Sequence, residues 1–126
     1  MKTIGVALAT VIASAATLAQ APAVPQEFPA GAQPLATEAL RTRLADKVYG
    51  VKVASGTAWR LQFNANGFYY VNVSNGFTDN GKWRLEESRL CTAPQKSTAS
   101  CNEMRLVGEV LYLKRDSGEV IKLDPN

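Results

Sequence analysis

The chain has 126 residues, with 14 Lys and Arg against 11 Asp and Glu, two Cys and no His. The absence of histidine excludes a Ser-His-Asp triad, a Cys-His dyad, a His-ligated zinc site and imidazole acid–base chemistry near neutral pH. A net charge of +3 on scattered basic residues is too weak to imply nucleic acid or another polyanion as partner.

Met1-Lys2 precedes an uncharged run from Thr3 to Ala19 rich in Ala, Val, Ile and Leu. One positive charge, a short apolar stretch and small residues at its end predict a signal peptide over residues 1–19, cut after Ala19. At about 17 residues the run is short for a membrane span, so no stable insertion is expected after cleavage. Loss of Lys2 lowers the charge from +3 to +2. The remaining chain, about 105 residues, suits one domain in a periplasmic or secreted location. Residues 20–34 hold four Pro and no apolar period, which predicts a flexible Pro/Ala-rich leader with Phe28 as an exposed aromatic. The folded domain is expected over 35–126.

Residues 37–47 form the one helix candidate. Thr37 suits the cap and Glu38 the first turn. Ala36, Leu40, Leu44 and Val48 recur at four-residue spacing, giving one apolar stripe to pack on, or plug, a sheet.

From Val48 the period becomes two. Tyr49, Val51 and Val53 form one apolar set; Trp59, Leu61 and Phe63 form the next. Tyr69, Val71 and Val73 follow, then Trp83 and Leu85, Met104 and Leu106, Leu111 and Leu113, and finally Ile121 and Leu123. Each segment has one dry and one wet face, as antiparallel strands do. Asn66-Gly67, Asn75-Gly76 and Asn80-Gly81 predict tight hairpin turns. Short connections imply a meander. Seven or eight strands in a chain this short predict an all-β fold, a small antiparallel barrel or tightly folded sandwich whose closure removes bare edges.

Cys91 and Cys101 are the only cysteines, and an exported chain pairs them by default. Strand parity agrees. Leu90 and Met104 point inward, so Cys91 and Cys101 both point outward. A redox pair normally has two residues between its cysteines at a helix start, a pattern absent here.

Gly76 to Lys82 has phosphate-loop spacing, but Trp83 follows where Ser or Thr is needed, so hairpin turns are the better reading. Trp59-Arg60 and Lys82-Trp83-Arg84 mix aromatic and basic residues as single-strand binders do. Parity sends each Trp inward and the cations outward, so no nucleic-acid site is expected. Phe68 and Tyr70, with Tyr112, fall on the outer phase. They are the candidate ligand-binding residues, unless they pack beneath the helix.

The signal segment, the Leu-containing helix, Asn66-Gly67, Gly81-Lys82-Trp83, Leu90-Cys91 and Cys101 together form a pattern. It resembles a group of small secreted proteobacterial domains of unknown function that share Gly-x-Trp, Leu-Cys and a second Cys. The resemblance covers about residues 35–123 and implies a lipocalin-like barrel, with no activity attached to it.

The expected function is a non-enzymatic binding module, without cofactor or metal, for a protein partner or a small apolar ligand in the barrel mouth. Large inward side chains (Trp59, Phe63, Tyr69, Trp83, Met104) argue for a filled interior and put the protein partner first. An inhibitor of an envelope hydrolase, inserting the leader or the 92–100 loop, is one alternative. An envelope structural or stress protein with no ligand is another. An enzyme would have to draw on Asp46, Asp79, Glu86, Glu87, Glu103 and Asp116, which fall at turns and on wet faces, so none is expected.

Overall fold

The structure, a computed structural model, describes Thr3, Gly5, Thr10 and residues 24–126. The expected signal peptide, its cleavage site and residues 20–23 otherwise lie outside the described residues.

The elements in chain order are β1 (Gln33–Pro34), α1 (Thr37–Leu44), β2 (Lys47–Lys52), β3 (Ala58–Phe63) and β4 (Phe68–Val73). They continue with β5 (Thr78–Glu86), β6 (Arg89–Pro94), β7 (Ser100–Val107), β8 (Val110–Lys114) and β9 (Val120–Pro125). Strands β2 to β9 pair antiparallel with their sequence neighbours, and β9 pairs back onto β2. An eight-stranded barrel therefore closes, and the expected meander is present.

The apolar phase read from the sequence is the inner face. Tyr49, Val51, Leu61, Phe63, Tyr69, Trp83, Met104, Leu111, Leu113, Ile121 and Leu123 form one buried cluster. Helix α1 plugs one end, with Leu40 and Leu44 wholly buried. Each contributes about 1.5–3 kcal/mol by leaving water. The Thr37 hydroxyl donates to the Glu87 carbonyl (3.0 Å) and Arg43 pairs with Glu109 (3.1 Å). The Tyr49 hydroxyl donates to the Arg43 carbonyl. The helix is thus bonded to the β5–β6 and β7–β8 turns that ring the plugged end.

Four sequence expectations need correction. The helix stops at Leu44, because Ala45 is extended and Asp46 is left-handed (φ 59°). Thr37 is the first helical residue rather than the cap; Ala36 occupies the cap position without a side-chain bond. Asn80-Gly81 is not a turn but lies inside β5, where Gly81 pairs with Tyr69 and Pro94. A Cβ on Gly81 would stand 2.1 Å from the Ala93 carbonyl oxygen. Glycine is therefore required there by the close approach of β6, not by a positive φ. Finally, residues 25–34 are not a free leader. The Val120 N–H donates to the Pro25 carbonyl (2.7 Å), Arg105 stacks on Phe28 (4.5 Å), and Gln33–Pro34 pair with β7. Strand β7 leaves β6 after Glu103, and β1 covers the edge so exposed, at Arg105 and Leu106.

Cys91 and Cys101 form the expected disulfide, directly opposite one another on β6 and β7. Among the described residues, no helix is long and apolar enough to cross a membrane.

Candidate functional site

With α1 at one end, the other end is bounded by the β2–β3, β4–β5, β6–β7 and β8–β9 connections. Alternation carries inward side chains to this rim, and there they change character. Asp79 shares the phase of Trp83, Thr92 that of Leu90, Asn102 that of Met104, and Arg115 that of Leu113. Apolar strand centres thus end in polar residues that still face the lumen.

Between them lies an open cavity of about 450 Å³. Its wall includes Trp59, Val71, Val73, Leu113 and Ile121, with Phe63 and Tyr69 deeper in. The interior is consequently filled at the plugged end, by Phe63, Met104 and Leu123, and hollow at the other. The expectation of a filled barrel holds for only half its length. Trp59 is half-buried rather than enclosed, because it stands on the cavity wall.

The rim is held by hydrogen bonds. Arg115 lies over the Trp59 ring (4.7 Å) and pairs with Glu119 (2.5 Å), whose carboxylate also accepts from the Ala54 N–H (2.8 Å). This ties the β8–β9 turn to the β2–β3 turn. Asn102 donates to Asp116 (2.8 Å) and to the Lys114 carbonyl (3.1 Å).

Asp79 holds the β6–β7 loop in the same way. Its carboxylate accepts from the N–H groups of Asn80 (2.8 Å), Gln95 and Lys96 (both 3.2 Å) and from the Ser97 hydroxyl (3.1 Å). Burial pushes its carboxyl upward, but these donors outweigh burial and hold it below the usual 3.8. A carboxyl lowered on folding stabilises the fold above the unfolded pKa, and that contribution is lost as pH falls through the folded value. The Gln95 and Lys96 amide resonances are expected to stay constant from neutral pH down through the ordinary Asp range. They then shift together at a midpoint below 3.8. Asp79→Asn should remove that step; its persistence in the variant would place the titrating group elsewhere.

Asp79, Tyr69 and Thr92 all border the cavity. Burial raises the Tyr69 pKa, the Thr92 side chain lowers it in part, and the Asp79 charge adds to the rise. At neutral pH this site offers a neutral phenol hydroxyl, the Asn102 amide and the charged Asp79 and Arg115 beside an apolar wall, an arrangement that suits binding.

No family model, curated protein or solved structure matches this chain. What stands is the architecture, a closed eight-stranded antiparallel barrel with one disulfide that fits a lipocalin-like barrel.

The three candidate ligand residues are not brought together. Phe68 and Tyr70 lie on the outer face of β4, 43% and 41% exposed. Tyr112 is half-buried on β8, four strands away around the ring. None packs beneath α1, whose buried residues enter the barrel end. The carboxylates considered for a hydrolase have structural partners: Asp46 accepts from the Ala65 N–H (2.8 Å), Glu86 pairs with Arg84 and Arg89, and Glu103 pairs with Arg105. Glu87 is left-handed in the β5–β6 turn. Glu86 also lies beside Cys91 and Cys101, but their sulfurs are spent in the disulfide, so no thiolate is left for a metal.

Sequence reasoning passed over Asn102 and Arg115. The signal was present: each is a polar residue in the apolar phase of its strand. Reading parity past the last apolar residue identifies them.

Proposed function

We propose that this protein is an exported, non-enzymatic binding module that takes a small, largely apolar molecule into the open end of its barrel. The observation that carries this reading is the cavity of about 450 Å³, walled by Trp59, Val71, Leu113 and Ile121 and edged by Asp79, Asn102 and Arg115. Its size falls within the range of small-molecule sites, and an apolar wall with a few polar groups at one side suits an amphiphile with its head at the rim. The disulfide supports an oxidising compartment, and with the signal-like N-terminus it favours the periplasm or the exterior. The Gly81-Lys82-Trp83, Leu90-Cys91 and Cys101 pattern adds the reading that the chain is one of the small secreted proteobacterial domains it resembles. In this view the 92–100 loop serves as cavity wall, held back by Asp79, rather than as an inserting arm.

Titration with N-phenyl-1-naphthylamine tests the proposal, since this apolar dye fluoresces when it leaves water. Saturable binding in the micromolar range is expected, with the dye quenching Trp59. Leu113→Trp fills the lumen and should weaken binding by about tenfold or more, with folding checked by circular dichroism. No saturable signal with the unmodified protein, or equal binding by a folded Leu113→Trp variant, removes the barrel mouth as the site.

A further inference from the structure

We propose that the outer face of β3, β4 and β5 is a saccharide-binding site centred on Tyr70, independent of whatever the barrel mouth holds. Register places Gln62, Tyr70 and Asn80 side by side on three adjacent strands, with Asn72 beside Thr78 in the next row. The β6–β7 loop adds Gln95 and Lys96 as a raised wall, and together these residues enclose an open hollow of about 530 Å³. The wall is fixed, because Asp79 binds the backbone of both loop residues from the lumen side.

Two features single out Tyr70. Lys82 stands over the Phe68 ring (6.0 Å) and Lys96 over the Phe77 ring (5.5 Å). Among the described residues no cation covers the Tyr70 ring, and the residue is 41% exposed. Around it, Asn80 and Gln95 form hydrogen bonds only through their backbone groups. Within the described residues, the Asn72 amide and the Tyr70 hydroxyl form none. Three planar amides, each with an adjacent donor and acceptor, therefore surround an exposed aromatic ring.

That combination matches a pyranose. One side of the sugar ring presents C–H groups with slight positive charge, which suit the negative face of an aromatic ring. Its edge carries neighbouring hydroxyls that donate and accept at once, as an amide does. A nucleic acid asks for something else, several cations along a backbone and successive open rings for its bases. The lining of this hollow has one cation, Lys96, already donating to the Thr78 carbonyl (2.6 Å); Arg60, beside Asn72 in register, donates to Gln62 (3.4 Å), and Tyr70 is the one ring in the lining.

The test is a ¹H–¹⁵N NMR titration of the full chain with cellotetraose, N-acetylchitotetraose and an oligothymidylate. At millimolar concentrations at least one saccharide should shift the side-chain amide resonances of Asn72, Asn80 and Gln95 saturably. Tyr70→Ala should weaken that binding by about tenfold or more, while Tyr70→Phe, which keeps the ring, should retain most of it. Leu113→Trp, inside the barrel, should leave it unchanged, which separates this site from the mouth. Absence of amide shifts with both saccharides, or shifts with the oligothymidylate alone, overturns the proposal.

Discussion

Trp83→Ala is expected to remove about 3–5 kcal/mol of folding stability, close to the whole stability of a small domain. Trp83 is 6% exposed, meets Phe63 edge-on (ring centroids 5.6 Å) and donates its indole N–H to the Asn64 carbonyl (2.8 Å). Truncation leaves a cavity against the helix plug and removes one of the two hydrogen bonds that the Asn64 carbonyl accepts in the β3–β4 turn, the other coming from the Gly67 N–H (3.0 Å). Surrounding strands are joined into a ring and do not collapse easily to fill the space. Trp59→Ala is the control. Trp59 packs against the core from the wall of the open cavity, so the space it vacates joins solvent rather than forming an enclosed void, and its loss, its contact with Arg115 included, should cost less than that of Trp83. Urea unfolding followed by far-ultraviolet circular dichroism ranks the two variants. Equal midpoints would mean that the plugged end carries no more of the core than the mouth does.

Replacing both cysteines by alanine should cost about 2.5–3 kcal/mol by chain-entropy reasoning for a loop of this size. The bridge joins residues ten apart on directly paired strands, and Cys91 is itself buried, which makes alanine a better probe than serine. The pairing of β6 with β7 ends at Thr92 and Ser100, one step beyond the bridge. The disulfide therefore stops the β6–β7 hairpin from fraying at the mouth. The double variant should show a lower urea midpoint and faster amide exchange in residues 92–100. Thiol titration of the unfolded, unreduced wild type should find no free thiol. Unchanged stability in the folded double variant would show that the strand pairing suffices without the bridge.

Strand parity was legible because a two-residue period leaves little choice once one face is dry. Every apolar set from Tyr49 to Leu123 points inward, and Cys91 and Cys101 meet on the outer face as parity requires. Strand β6 was harder to see. Thr92, Ala93 and Pro94 carry no apolar alternation, and they belong to the sheet through pairing with Gly81 to Trp83. Asn80-Gly81 misled for a related reason: the dipeptide has turn chemistry, but the lost Cβ is used for close strand approach. Phe68, Tyr70 and Tyr112 share a phase, and phase gives a face without giving a position around the ring.

By itself, the sequence determined a closed, mostly antiparallel β fold with its apolar phase inward, one short helix and one bridge between neighbouring strands. These follow from local periodicity and from the need to cover edges and dry faces. Only the tertiary structure decided which barrel end the helix fills, and hence which end stays open. Only it set residues 25–34 against the wall, and turned Asp79 and Arg115 from strand-end polar residues into clamps on a cavity rim. Such facts depend on which distant segments meet when the ring closes, and residues far apart in the chain carry no local pattern that records their meeting.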